Sequence, residues 1–246
     1  AERYNQVPHH PVLAAINGSF IDPVNLPNLV GTVASHGQIL AAPQANPDSE
    51  YDTFIIGASR MPIIRSAIRP QAGRLTFASG VSIPLDGYNR LNPPIHTITA
   101  YTPAWDTSTR SSFVNPDLAV EIILENVTYP MRGDKEISGV VSAVRTGLEA
   151  QNNVIPQGGM VLTGWGSVLS IVLDNVNLGD RLRMYFATSE PWYNTADMAI
   201  AGIGWILHQG EPFYANWDLR PAPYPYARNP RTVLAWSEDK LIMMVC

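Results

Sequence analysis

The chain has 246 residues, 46% of them hydrophobic, and a formal net charge of −5. That length and apolar content allow a sizeable core and exclude wholesale disorder. The acidic balance argues against nucleic acid or an anionic membrane as the main partner, and no apolar run reaches the roughly 18–20 residues of a transmembrane helix.

Lys135 and Lys240 are the only lysines, so basic charge is almost all arginine. Cys246 is the sole cysteine, which rules out an intrachain disulfide and Cys-rich zinc sites. No signal peptide is visible, and Ala1-Glu2 is compatible with an end left by processing. Twenty-one prolines and eighteen glycines punctuate short runs rich in Val, Ile, Thr, Tyr and Phe. This pattern predicts many short strands and few short helices: a strongly β-rich α+β domain.

In chain order, residues 1–11 are polar and Pro-rich and read as an N-terminal arm. One compact domain, incomplete at its C-terminus, is expected over 12–246. Val12–Ile16 reads as a buried strand ending in Asn17-Gly18, a pair that favours a turn with positive φ. Residues 22–50 read as a long loop with one short strand near Gln38–Leu40. Strands follow at 51–57, 61–68, 74–77 and 81–85, the last two around a turn at 78–80. From Ile95 the sequence alternates, so Ile95, Thr97, Thr99 and Tyr101 are expected on one face of a strand ending at Pro103. Residues 105–112 form a polar loop.

Further strands are predicted at 119–124, 138–146, 160–164, 182–188 and 198–207. Short helices are placed near 148–152 or 116–118, and a hairpin turn at 208–211. Gly202 and Gly204 alternate, a spacing that lets a backbone or ligand approach closely. The chain closes with two apolar runs, Val233–Trp236 and Leu241–Cys246, around Ser237-Glu238-Asp239-Lys240. This is a hairpin signal, and the lack of alternation predicts strands buried on both faces. Pro230 limits where the first strand begins and sets Arg231 and Thr232 at its entrance. The sequence stops inside the second run, as expected of a fragment or of a sheet that a partner completes by strand addition.

No nucleophile elbow, P-loop, His-Glu-x-x-His or dinucleotide fingerprint is present. His9, His10, His36, His96 and His208 are scattered, and their spacing points to no metal, although it does not rule out a divalent ion. No cofactor is expected. The order of several weaker motifs is more specific. Ala14-Ala15-Ile16-Asn17-Gly18-Ser19-Phe20 comes first, then Gly87-Tyr88-Asn89-Arg90 and Tyr101-Thr102-Pro103-Ala104-Trp105-Asp106-Thr107-Ser108-Thr109. Ile155-Pro156 leads to Met160-Val161-Leu162, and Leu178-Gly179-Asp180 lies behind it. Ala199 through Gly204, His208-Gln209-Gly210 and Arg228-Asn229-Pro230-Arg231-Thr232-Val233 complete the series. Over residues 12–246 this series resembles the phosphodiester glycosidase family, whose best-known member removes N-acetylglucosamine from a phosphodiester on mannose.

The resemblance implies a β-rich α+β fold and hydrolysis of a glycosyl phosphodiester at the anomeric carbon. It also implies an extracytoplasmic or secreted setting. The positions matching the family's cleft are Asn17, Gly18, Asn89, Arg90, Tyr101, Thr102, Gly202, Gly204, Arg231 and Thr232. Their chemistry suits a sugar phosphate: arginine offers a planar fork to phosphate oxygens, while amides and hydroxyls suit sugar hydroxyls. In similar proteins Asp-Gly-Arg, a helix and Leu-Asp-Gly-Gly-Gly-Ser follow the Pro-Arg-Thr hairpin, and that Asp is the foremost acid–base candidate. The sequence given stops at Cys246, before that segment. Ile21 stands where a second Phe is common, and Asp106 where Gly is common. Asp22, Asp106 and Glu211 are the carboxylates nearest the matched motifs, and each reads first as a solvated loop charge.

Two functions remain open at this point. One is a hydrolase portion completed by a second polypeptide. The other is a non-catalytic carbohydrate-binding or structural subunit that keeps the scaffold and assembles through its unfinished sheet edge.

Overall fold

The computed structural model describes residues 32–41, 52–65, 68, 70–89, 95–133, 135–202, 207–208, 211–212, 232–237 and 241–245. The chain divides into two compact units, one of residues 19–203 and a second that takes in residues 204–246. The larger unit begins with β1 (Val33–Ser35), β2 (Gln38–Ala41), β3 (Asp52–Ile56), β4 (Pro62–Arg65), β5 (Pro70–Thr76) and β6 (Ser82–Pro84). It continues with β7 (Gly87–Tyr88), β8 (Ile98–Tyr101), β9 (Ala119–Glu125), β10 (Ile137–Thr146) and β11 (Met160–Trp165). Helix α1 (Val168–Asn175), β12 (Arg181–Thr188), helix α2 (Pro191–Asn194) and β13 (Met198–Gly202) complete it. The fold is a strongly β-rich α+β domain, as the Pro/Gly punctuation predicts.

A five-stranded sheet runs β2-β1-β13-β3-β4 and an eight-stranded sheet runs β6-β5-β12-β10-β9-β11-β8-β7. Neighbouring strands are antiparallel apart from the β7–β8 pair. The core lies between the sheets. Ile39, Ile55 and Ala199 from the smaller sheet pack with Leu75, Ile98, Ile122, Leu162 and Phe186 from the larger one. Each large side chain buried this way contributes about 1.5–3 kcal/mol.

Polar contacts from α2 fix the edge of the smaller sheet. The Tyr193 hydroxyl donates to the Ala41 carbonyl at 2.6 Å and the Val33 carbonyl at 3.3 Å, which ties β1 and β2 together. Asn194 accepts from the Thr188 amide at 2.8 Å and donates back to its carbonyl at 2.9 Å. Burial pushes the phenols of Tyr88, Tyr129 and Tyr193 well above the usual tyrosine range, so all three stay protonated at neutral pH.

Several expectations need correction. The stretch read as a long loop contains a hairpin, β1 and β2, around His36-Gly37. Both turn residues have positive φ, 52° and 72°, the geometry that matches the strand twist in a two-residue turn. Histidine at the first position hides that signal. The strand read from Ile95 begins only at Ile98, because His96 turns the chain at φ 68°. All four residues of β8 are buried, so the alternation separates two covered sides and not a core side from solvent. Ile98 and Ala100 face the main core, Tyr101 a second cluster, and Thr99 fills the space that Gly87 leaves.

Helix α1 is a further departure, since its apolar run reads as readily as a strand. Val168 and Val172, one turn apart, enter the core, whereas Leu173 is 55% exposed. The helices proposed near 116–118 and 148–152 are single 3₁₀ turns, Pro116–Leu118 and Gly147–Glu149.

In the second unit, β14 (Leu207–His208) pairs with β15 (Glu211–Pro212), in line with the expected turn. Strands β16 (Thr232–Trp236) and β17 (Leu241–Val245) form the closing hairpin, with Thr232 opposite Val245. Its expected burial on both faces is not seen. It forms a two-stranded sheet in which Leu241 and Ile242 are 48% and 45% exposed and Val233–Trp236 are half-buried. The N-terminal arm and the strand at 12–16 lie outside the described residues. Among the described residues no helix is long and apolar enough to cross a membrane.

Gly73 shows how closely the larger sheet is wrapped. A Cβ on Gly73 would lie 1.8 Å from the Leu85 carbonyl oxygen, a backbone atom that also carries the chain from β6 towards β7. Gly73→Ala is therefore expected to cost about 3 kcal/mol, the upper end of overpacking penalties. A urea titration checks this; an unchanged midpoint would mean that the Leu85 segment is free to move.

Candidate functional site

Of the residues matched to the family's cleft, the structure brings Asn89, Tyr101 and Thr102 together at the β7–β8 edge. Asn89 leaves β7 in the left-handed region at φ 49°, a conformation that asparagine tolerates better than most residues. Its amide N–H groups donate to the Leu40 carbonyl of β2 at 2.7 Å and to Thr102 Oγ1 at 2.8 Å. Its oxygen accepts from the Thr102 backbone N–H at 2.8 Å. Asn89 and Thr102 are 3% and 0% exposed. One amide therefore ties both sheets and the start of the loop after β8, and its donors are fully used. Its own backbone N–H completes the join, donating to the Ala100 carbonyl at 2.8 Å.

Tyr101 is fully buried, with its ring 5.5 Å from that of Trp105. Ile155 and Val161 close the same cluster. The Tyr88 hydroxyl is sealed in the core close to the Thr102 and Gln38 side chains and forms no hydrogen bond of good geometry. Gly202 ends β13 opposite Asp52, and a Cβ there would meet only the Asp52 carbonyl at 3.9 Å among the described residues. Packing does not demand glycine at that point. Thr232 opens β16 in the second unit and is exposed. Asn17, Gly18, Arg90, Gly204 and Arg231 lie outside the described residues.

The loop from Thr102 to Ser111 is pinned at its far end by a group that the motif reading misses. Glu121, in the middle of β9, is 0% exposed. Its Oε1 accepts from Thr109 at 2.8 Å, Ser111 at 2.7 Å and Thr163 at 2.9 Å. Its Oε2 accepts from Asn153 Nδ2 at 2.6 Å. Four side chains thus donate to the carboxyl, three at Oε1 and one at Oε2. The sequence signal was a single Glu inside the apolar run Ala119–Leu124, opposite Thr163 in register. A buried charge of this kind needs several donors, so hydroxyls and amides had to be near it.

Backbone bonds strap the same loop to residues 152–155. Thr109 N–H donates to the Asn153 carbonyl at 3.0 Å and Ile155 N–H to the Thr107 carbonyl at 2.9 Å. Trp105 Nε1 donates to the Thr109 carbonyl at 3.2 Å. Asp106, expected to be a solvated loop charge, instead accepts from the Thr107 N–H at 2.7 Å and pairs with Arg110 four residues on. The Thr107 backbone bond, helped by Arg110, holds its carboxyl below the usual aspartate range. It is a local brace of the loop. Among the described residues no three His, Cys, Asp or Glu side chains gather around one potential metal position.

No protein-family model matches this sequence. No curated protein matches it either. Solved structures do share the fold. A hypothetical protein from Synechocystis superposes with a TM-score of 0.64 at 17% identity, over 93% of this chain and 39% of its own. A candidate exported protein from Burkholderia pseudomallei K96243 gives 0.61 at 17% identity, over 93% of this chain and 52% of its own. The chain thus spans about half or less of the length of these neighbours. At such identity the likeness concerns the fold alone.

Two outcomes follow from the loop's supports. Glu121→Gln sets an NH₂ against either the hydroxyl trio or the Asn153 amide, and should cost about 2–3 kcal/mol in a urea titration. A loss below a few tenths would show that the network carries no load. For Asp106 the folded pKa is depressed, so its contribution is present above the unfolded value near ~3.9 and lost as pH falls through the lower folded value. Asp106→Asn should therefore remove part of the acid-side fall in stability while leaving the slope near neutral pH unchanged, as read from urea midpoints along a pH series.

Proposed function

We propose that this chain is a hydrolase portion of the phosphodiester glycosidase type, cleaving a glycosyl phosphodiester at the anomeric carbon. The carboxylate for acid–base work comes, on this reading, from a segment following the Pro-Arg-Thr hairpin in a further polypeptide or a longer form of the protein. An extracytoplasmic setting goes with it: one structural neighbour is described as a candidate exported protein. The observation that carries the reading is the Tyr101–Ser111 loop. Asn89 and Glu121 hold its two ends through largely buried polar networks. Such loops on rigid strand ends are where binding and catalytic groups are positioned without reorganisation cost.

In this scheme water attacks the anomeric carbon, and the bond from that carbon to the bridging oxygen breaks. The electron pair leaves with the phosphate, which departs as a monoester. Phosphate is a good leaving group, so protonation of the leaving oxygen matters less than in glycosidases built on two carboxylates. On the resemblance, Arg90 and Arg231 are each candidates for contact with phosphate oxygens, which a guanidinium matches two at a time. Asn89, held in its own hydrogen-bond network, directly precedes Arg90 in sequence.

The committed amide of Asn89 favours a second reading, in which the scaffold binds a sugar phosphate without turning it over. The two separate in one experiment. N-acetylglucosamine-1-phospho-(methyl mannoside) is incubated in ¹⁸O-water with this chain, alone and with the following segment supplied. The expected result is a phosphomonoester by ³¹P NMR and the label in the released sugar. Arg90→Ala and Arg231→Ala should each lower kcat/KM by about 100-fold without moving Tm. Label in the phosphate would overturn attack at carbon, and saturable binding without turnover in both preparations would establish the binding reading.

A further inference from the structure

The opposite edge of the eight-stranded sheet carries a different surface. Along β12, Leu182, Met184 and Phe186 point into the core, which leaves Arg181, Arg183 and Tyr185 on the outer face. In register with Tyr185 stands Arg74 of β5, and in register with Arg74 stands Pro84 of β6. Ala72, Arg74, Ser82, Pro84 and Tyr185 line a shallow depression of about 570 Å³ on this face. Tyr185 is half-buried there, and Ala72 and Pro84 are exposed beside it.

The charge of this face runs against that of the chain, whose net charge is −5. Arg74 and Arg183 are about half exposed, at 56% and 53% of their side chains. They share one counter-ion, Glu136, at 3.7 Å and 3.3 Å. Arg181 donates to the Ser138 hydroxyl at 3.0 Å, a neutral partner that leaves its charge in place. Two guanidinium groups thus share the Glu136 carboxylate, a third stands beside them on a neutral partner, and the exposed Glu125 lies in register with Arg181 across β10. Exposed pairs of this length contribute little stability, roughly 0–1 kcal/mol, so an external anion competes with Glu136 at small cost.

We propose that this face is a docking site for an anionic polysaccharide, with uronate carboxylates on the arginines and a sugar ring against Tyr185. Residues Arg181 and Arg183, two apart on one strand, lie about 7 Å from each other along the sheet, a spacing for successive charges on an extended polymer. The flat platform of Tyr185, Pro84 and Ala72 accepts the apolar face of a pyranose, which an acidic peptide does not offer. Nucleic acid needs a broader basic field than this acidic chain carries. The site lies at the β6–β5–β12 edge, far in strand order from the β7–β8 edge. It does not depend on the hydrolase reading.

The test is titration calorimetry of the full chain with a polygalacturonate hexamer and, in parallel, with its methyl ester. The acid form should bind with an affinity that falls as salt rises, and the ester should not bind. The Arg74→Gln/Arg183→Gln double variant should lose at least about ten-fold in affinity. Tyr185→Ala should lose several-fold at high salt, where the ring contact dominates. Glu136→Gln, which frees two guanidinium groups, should bind about three- to ten-fold more tightly, a gain that misfolding does not imitate. Absent binding, unchanged affinity in the double variant, or equal or tighter binding of single-stranded DNA or polyglutamate of the same charge would overturn the proposal.

Discussion

A single buried amide sets much of this geometry. Asn89 touches β2 through the Leu40 carbonyl and the loop after β8 through both polar groups of Thr102. The Asn89–Thr102 bonds are buried and the Leu40 bond partly so, and a buried group left unsatisfied costs about 1–3 kcal/mol. The two sheets therefore keep a fixed approach at this edge, and the chain must leave β8 in one direction. The left-handed backbone of Asn89 is held by the same bonds, so strain and satisfaction are coupled in one residue.

Glu121 does the same work from the other side. It is fully buried in β9, and its four donors come from three separate segments of chain. A network of this kind specifies a unique arrangement because a partly made version is worse than none. The Tyr101–Trp105 contact and the Asp106–Arg110 pair fill the span between the two anchors. The loop is thus fixed at both ends, and its remaining freedom lies in side chains.

The strand pattern was legible because Pro and Gly mark strand ends irrespective of tertiary context. What was not legible depends on contacts distant in sequence. His36-Gly37 hides a hairpin because histidine is an uncommon turn residue, and its positive φ is imposed by the β1–β2 pairing. The run from Val168 suits strand or helix equally, and packing of Val168 and Val172 on the core decides it. The alternation from Ile95 is real in sequence, yet β7 and β11 flank β8 and both faces are covered, so polarity there reflects hydroxyl packing and not solvent. The lack of alternation suggested a closing hairpin buried on both faces, whereas Leu241 and Ile242 are half exposed. Motif order placed Asn89, Tyr101 and Thr102 among ten cleft positions, and Asn89 and Thr102 are in direct contact. It gave no hint that Asn89 and Thr102 satisfy each other.

That mutual satisfaction bears on where chemistry can reside. A donor already committed to a buried acceptor is not available to a ligand without breaking the fold around it. Asn89 and Thr102 accordingly act through what they position. The matched positions that carry charge, Arg90 and Arg231, lie outside the described residues, so the donors that the proposed hydrolysis requires for a phosphate are not drawn from the buried Asn89–Thr102 pair.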